Sequence, residues 1–161
     1  MPTAGSLNDG EMSVSIAKFG PHLRNSLSFQ ALPNVFGTFR YAGVGDKNTG
    51  FYPTSGFTTW DRSFDLRLDL LNEKAYSPSI SIGFNDVIGT GLNSSEYIVS
   101  SKHLVNNLKA SLGLGWGRMG SQNILFKNGE RDNDNGGKYG GLLKTEQLFR
   151  GNIGIFGGVE Y

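Results

Sequence analysis

The segment "SFDLRLDLL", Ser63 to Leu71, sets Phe64, Leu66, Leu68 and Leu70 in strict alternation with Asp65, Arg67 and Asp69. A period of two is that of a β-strand, whose side chains point alternately to opposite faces, so this stretch has one wholly apolar face and one charged face. The apolar face has to leave water, and the charged face has to stay wet or pair its charges. Few architectures satisfy both demands.

The same alternation recurs along the chain. Reading for it predicts about eight strands: Glu11 to Phe19, Ser26 to Leu32, Val35 to Gly43, Arg62 to Leu71, Ser77 to Asn85, Ser95 to His103, Asn107 to Gly117 and Asn152 to Tyr161. In the second, Leu27, Phe29 and Ala31 oppose Ser26, Ser28 and Gln30; in the third, Val35, Gly37, Phe39 and Tyr41 oppose Phe36, Thr38 and Arg40. The fifth sets Ile80, Ile82 and Phe84 against Ser79, Ser81 and Asn85. The seventh sets Leu108, Ala110, Leu112, Leu114 and Trp116 against Lys109, Ser111, Gly113, Gly115 and Gly117. Ser95 to His103 fits least well, because Ile98 shares its side with Glu96, Ser100 and Lys102, opposite Tyr97, Val99 and Ser101.

The connections alternate in length. "PN" and "LVN" are tight and "NEKAY" is short, "GPHLR" and "DVIGTGLNS" are moderate, "VGDKNTGFYPTSGFTTWD" is long and "RMGSQNILFKNGERDNDNGGKYGGLLKTEQLFRG" is very long. Short turns thus gather at one end of the sheet and long loops at the other, as in up-and-down outer-membrane barrels. A soluble β-sandwich gives the same alternation, with the apolar face against a second sheet. The loop asymmetry, the glycines of the seventh strand and the aromatics near strand ends favour the barrel. Tyr41, Trp60, Trp116 and Tyr161 are the candidates for interfacial girdles, and each also suits a sandwich core or rim.

The fold expected is therefore all-β, an antiparallel meander forming an outer-membrane β-barrel or part of a larger barrel wall, in a single domain over 1–161. Its lumen-facing polar residues would include Arg40, Asp65, Arg67, Asp69 and Lys109; Phe64, Leu66, Leu68, Leu70, Leu112 and Leu114 would face lipid. Length suits one domain of ordinary size. Fifteen Lys and Arg against fourteen Asp and Glu give a net charge of +1, which offers no footprint for nucleic acid. Cysteine is absent, which removes disulfides, thiolate metal sites and Cys nucleophiles. No apolar run is long enough for a membrane-spanning helix, and "MPTAGSLNDGE" lacks the basic and apolar regions of an export signal.

Motifs with chemistry are weak. "GLGLGWG" brings glycines together, but Gly113, Gly115 and Gly117 keep strand period with no helix pattern after them, unlike a phosphate loop. "RDNDNGG" offers Asp132, Asn133, Asp134 and Asn135 as oxygen ligands for calcium. An EF-hand loop starting at Asp132 needs an acid at its twelfth position, where Leu143 stands. His22 and His103 lie far apart without a triad pattern, and the separations of Asp65, Asp69, Glu73, Asp86 and Glu96 that a glycosidase would need are not given by sequence. No enzyme, cofactor or metal is expected.

At "IGTGLNSSEYIVSSKHL" followed by "LKASLGLGWGRMG", the chain resembles the YjbH/GfcD family of exopolysaccharide and capsule biosynthesis proteins. The likeness continues in "MPTAGSLNDGEM", "YAGVGDKNTG", "SFDLRLDLL" and "FRGNIGIFGGVEY". The resemblance implies an outer-membrane β-barrel protein of Gram-negative bacteria, often a lipoprotein, that helps move polysaccharide to the cell surface and carries no catalytic residues. Its implied partners are an exopolysaccharide or capsular glycan, outer-membrane lipids and periplasmic polysaccharide-export proteins. Family members are much longer and carry an export signal before the "MPTA" segment, so the chain reads as an amino-proximal fragment with Tyr161 as a truncation point. The competing expectation is a soluble carbohydrate-binding β-sandwich using Tyr52, Phe57 and Trp60.

Overall fold

A computed structural model of the chain describes residues 1–5, 7–20, 22–44, 59–89, 91, 93–131 and 145–161. The described residues form nine strands: β1 (Met12–Phe19), β2 (His22–Leu32), β3 (Val35–Val44), β4 (Thr59–Leu71), β5 (Ser79–Gly89), β6 (Ser95–Val105), β7 (Leu108–Trp116), β8 (Ile124–Asn128) and β9 (Gly151–Glu160). They make one sheet in the order β1-β2-β3-β4-β5-β6-β7-β9-β8, with every pairing antiparallel. The sheet is open: β1 and β8 are its edges.

Eight strands coincide with those expected from alternation, with shifted ends; β2 starts at His22 and β5 runs on to Gly89. The ninth, β8, falls in the longest expected connection. Its "ILFKN" has no alternation, all five of its residues are exposed, and it pairs only with Gly151–Gly154 of β9. Nothing periodic marks it in the sequence. Both β7 and β8 run antiparallel to β9, so they are parallel to each other and are joined through a 3₁₀ turn at Gly117–Ser121.

The strand ends joined by 33–34, 72–78 and 106–107 lie at one end of the sheet, the short-turn end. Those joined by 20–21, by 45–58, by 90–94 and by the path through β8 lie at the other, called the long-connection end for its two longest links, although 20–21 is as short as 33–34 and 90–94 is shorter than 72–78. Register carries the alternation across neighbouring strands. Leu27, Phe39, Phe64 and Ile88 line up on one face, as do Leu68 with Ile82, and Ile98 with Leu114 and Ile155. Ser28, Thr38 and Asp65 share the other face. On β6, Ile98 joins the apolar face, while Tyr97, Val99 and Ser101 turn to the polar one. Tyr97 fits there because its register partners are Gly83 and Gly115, and a Cβ at Gly83 would overlap its ring.

The burial of the two faces is inverted relative to a protein dissolved in water. Gln30, Arg40, Asp61, Ser63, Asp69, Ser81, Ser101 and Ser111 are all buried, whereas Val14, Ile16, Phe39, Leu70, Leu112 and Val159 are exposed. The apolar core is small: Ala4, Tyr97 and Val99 with Met119 and Phe156 packed against them, all gathered on the polar side.

A segment before β1 shows why that side is enclosed. The Ala4 N–H donates to Ser101 Oγ on β6 at 2.9 Å, and the Leu7 N–H donates to Gln30 Oε1 on β2 at 3.2 Å. Four strand spacings separate β2 from β6, about 19 Å in a flat sheet, yet Ala4 to Leu7 can span at most about 11 Å, or about 17 Å with the hydrogen bonds of 2.9 and 3.2 Å added. Side chains stand near-perpendicular to a sheet and add little lateral reach. The sheet is therefore curled, with the polar face inward.

Candidate functional site

The curled inner face is built from short polar side chains and paired charges. Arg40 on β3 donates from Nε to Ser63 Oγ at 2.8 Å and from a terminal nitrogen to Asp65 Oδ1 at 3.2 Å. The same Asp65 oxygen accepts the Asp86 N–H at 2.8 Å. That bond explains a local irregularity: Phe64 pairs Ile88 and Leu66 pairs Phe84, so three residues of β5 face Asp65 alone. Asp86, at φ +55°, turns the bulge through the left-handed region, which Asp tolerates better than most residues. Its Oδ2 accepts the Asn93 N–H at 3.0 Å, and Asn93 Nδ2 donates to Asp61 Oδ2 at 2.8 Å.

Lower on β4, Arg67 Nε donates to Asp69 Oδ1 at 3.1 Å, and Ser81 Oγ donates to the same oxygen at 2.5 Å. The Arg67 guanidinium also lies over the Phe36 ring, 4.5 Å from its centroid, and donates to the Gly5 carbonyl. Hydroxyls fill much of the remaining surface. Ser28 bonds Thr38 at 2.9 Å, Ser101 bonds Ser111 at 2.7 Å, and Ser13 and Ser15 of β1 stand beside Ser28 and Ser26. Small residues make room for rings: a Cβ at Gly113 would overlap Phe156, which meets Tyr97 edge to face at 6.4 Å between centroids.

Of the residues singled out from sequence as inward and polar, Arg40, Asp65, Arg67 and Asp69 are brought together in two ion pairs. Lys109 shares their face but sits at the short-turn end, in register with His103 and Glu160. Phe64, Leu66, Leu68, Leu112 and Leu114 share the opposite face, where Leu112 is 59% exposed, and Leu70 is also exposed. Tyr41 and Trp60 stack on that face at 4.7 Å, with the Arg62 guanidinium 5.8 Å from the Tyr41 centroid. Tyr161 is exposed past the other end of β9.

Trp116 departs from the girdle reading. It is buried under Phe149, which meets it edge to face at 5.1 Å and meets Phe84 at 5.8 Å. Beside it, Glu96 accepts two bonds from Arg131, at 2.7 and 3.0 Å, and the Phe149 N–H at 3.0 Å. Arg131 also donates to Ser94 Oγ and the Gln147 carbonyl. The path between β8 and β9 is thus fastened over the long-connection end of the apolar face. Sequence offers one trace of this latch, the acidic Glu96 out of phase among apolar positions; Arg131 gives none.

At the short-turn end, Glu73 accepts from His103 N–H at 2.9 Å, contacts His103 Nδ1 at 2.8 Å and pairs with Lys102 at 3.1 Å. These bonds, chiefly that with the His103 ring, hold its carboxyl down at about 2. Lys102 Nζ also caps the carbonyls of Lys74, Ala75 and Ser77. His22 stands at the opposite end of the sheet. Gly113 and Gly115 lie within β7, not in a loop that could cradle phosphate. Among the described residues no group of three or more His, Asp or Glu is placed to hold a metal ion. Asp132, Asn133, Asp134 and Asn135, and the loop residues Tyr52 and Phe57, lie outside the described residues. No helix among the described residues is long and apolar enough to cross a membrane, which leaves strand crossing unaddressed.

The inner face can therefore offer many hydrogen-bond donors and acceptors and compensated charges. Comparison with known proteins gives the family. The profile described as exopolysaccharide biosynthesis protein YbjH matches residues 1–161. An uncharacterized lipoprotein YjbH of Escherichia coli (strain K12) is 34% identical over 168 residues, covering 99% of this chain and 24% of that protein. The chain thus spans about a quarter of the length of this curated relative. No solved structure matches. The chain belongs to the YjbH family of exopolysaccharide biosynthesis proteins.

Proposed function

We propose that this chain forms the wall of an outer-membrane β-barrel, or a small barrel itself, that passes or anchors an exopolysaccharide or capsular glycan on its way to the cell surface. The observation that carries the reading is the inverted burial: Arg40, Asp61, Ser63 and Asp69 are enclosed while Val14, Ile16, Leu112 and Val159 face outward. Exposed apolar surface of this kind marks an interaction face, and a lipid bilayer suits one that recurs on β1, β3, β4, β7 and β9 outside the part covered by the path between β8 and β9. The two longest connections, 45–58 and the path through β8, share one end, in keeping with longer outer loops, while the two-residue 20–21 link at that end does not follow the pattern. The Tyr41–Trp60 stack fits an interfacial girdle.

On this reading Phe64, Leu66, Leu68, Leu70, Leu112 and Leu114 meet lipid, and Arg40, Asp65, Arg67, Asp69 and Lys109 meet the wet interior. The mechanism is passive: hydroxyl, amide and paired charged groups take the place of the glycan's water as it moves, without chemistry on the sugar. Periplasmic export proteins would deliver the polymer to the short-turn end. Membership of an exopolysaccharide biosynthesis family supports the substrate class. The test is refolding of the denatured chain side by side in plain buffer and in detergent micelles. The expected result is strand circular dichroism and a heat-modifiable gel band in detergent alone. A cooperative, monomeric β fold in buffer would overturn the proposal in favour of a soluble carbohydrate-binding domain.

A further inference from the structure

The segment ahead of β1 crosses the enclosed face instead of lying along its rim. Met1 reaches Gly158 on β9, where an added Cβ would lie 2.9 Å from the methionine Cε. Ala4 is buried to 1% exposure against Tyr97 and Val99 and donates to Ser101 Oγ on β6. The Gly5 carbonyl accepts from Arg67 on β4, and the Lys109 Nζ on β7 lies beside Gly5. The Leu7 N–H ends the crossing on Gln30 of β2. Ser101, Lys109, Arg67, Gln30 and Gly158 all stand in the half of their strands nearer the short-turn end.

From these contacts, and resting on the reading of the inner face as a glycan path, we infer that residues 1–8 are a displaceable strap that closes the short-turn end of that path. Among the described residues its attachment is backbone to side chain, with one bond each to β2, β4 and β6, and Ala4 is its small buried anchor. Such an attachment can open locally without unfolding the sheet, whose ladders it does not share. The groups it occupies suit a polysaccharide. Ser101 Oγ and Gln30 Oε1 accept from strap N–H groups and can accept from sugar hydroxyls, and the Arg67 guanidinium can exchange the Gly5 carbonyl for a hydroxyl or a uronic carboxylate. A glycan entering from that end competes with the strap for the same partners, so the strap excludes other solutes until the polymer displaces it.

The chain has no cysteine, so engineered thiols are the only ones present. In the chain refolded in detergent, Ser101→Cys should react with a maleimide about tenfold more slowly than the same variant lacking residues 1–8, in line with local protection. Equal rates would overturn the strap. The Ala4→Cys/Ser101→Cys double variant then goes into planar bilayers. Low conductance when oxidised, rising several-fold on reduction, is the expected result. Channels whose conductance ignores the disulfide would overturn the gate while leaving the conduit standing. Protection of the thiol with no conductance from any variant, wild type and the strap deletion included, would overturn the conduit and the gate with it.

Discussion

Replacing Leu112 by arginine separates a lipid-facing surface from a water-facing one. Leu112 is the middle residue of β7, which has nine residues, and its side chain stands on the apolar face, 59% exposed. At about 3.4 Å per residue the strand is about 27 Å long. In the proposed barrel, tilted by about 40°, it would rise about 21 Å through an apolar band about 25 Å tall, with Leu112 near the midplane. An arginine there costs about 2–4 kcal/mol, a shift of roughly 30- to 700-fold in the folding equilibrium. In water, a substitution at so exposed a position stays within about 0.5 kcal/mol. The assay is urea unfolding of protein folded into lipid vesicles, read by heat-dependent gel migration, with Tyr76→Arg as control because Tyr76 is fully exposed in the 72–78 connection. A Leu112→Arg midpoint matching that control would refute the argument.

Other perturbations address other parts of the sheet. Glu96→Ala leaves the buried Arg131 guanidinium without its carboxylate and should cost about 3–5 kcal/mol; the Glu96→Ala/Arg131→Met double variant should lose less than the two singles summed, measured by denaturant midpoints. Gly83→Ala drives a Cβ into the Tyr97 ring and should cost about 1–3 kcal/mol, whereas a neutral result would mean that Tyr97 lies elsewhere. For Glu73, a carboxyl held below its ordinary value of 4.5 contributes stability that is present above that pH and is lost as pH falls through about 2. A carbon-13 titration of Glu73 should show a midpoint near 2, moving up in His103→Ala; a midpoint at the ordinary value would remove His103 from the account.

The strands were legible because period-two alternation is a local property. "SFDLRLDLL" and "LKASLGLGW" carry enough of it to fix both the element and its facing. Ser95–Val105 was harder, since Tyr97 and Val99 point to the polar face; the explanation lies in a neighbouring strand, where Gly83 leaves space for the ring. β8 was illegible because its pairing depends on the edge of β9, some 25 residues away in sequence, and not on its own pattern. The Arg40–Asp65 and Arg67–Asp69 pairs were visible as residues but not as pairs, because register decides which charges meet. Trp116 shows the opposite failure: its position at a strand end suggested a girdle, and a distant Phe149 covers it. Residues 1–8 gave no hint of crossing the sheet, for extended peptide without periodicity reads as a tail.

The hydroxyls of the inner face carry a consequence for movement. A serine or threonine O–H can rotate between donating and accepting, so Ser13, Ser15 and Ser26 can each serve a ligand either way, while Ser28 and Thr38 already bond each other. On the proposed glycan path, a chain of sugar units laid against these hydroxyls would trade one hydrogen bond for the next at nearly constant energy as it shifts. The landscape along such a wall is shallow, and shallow wells are what fast transit requires, since a site must hold weakly enough to let go. The fixed charges that would make deep wells, Arg40, Asp65, Arg67 and Asp69, are already tied to one another. If the inner face is the glycan path proposed above, friction, more than affinity, is what this arrangement keeps low.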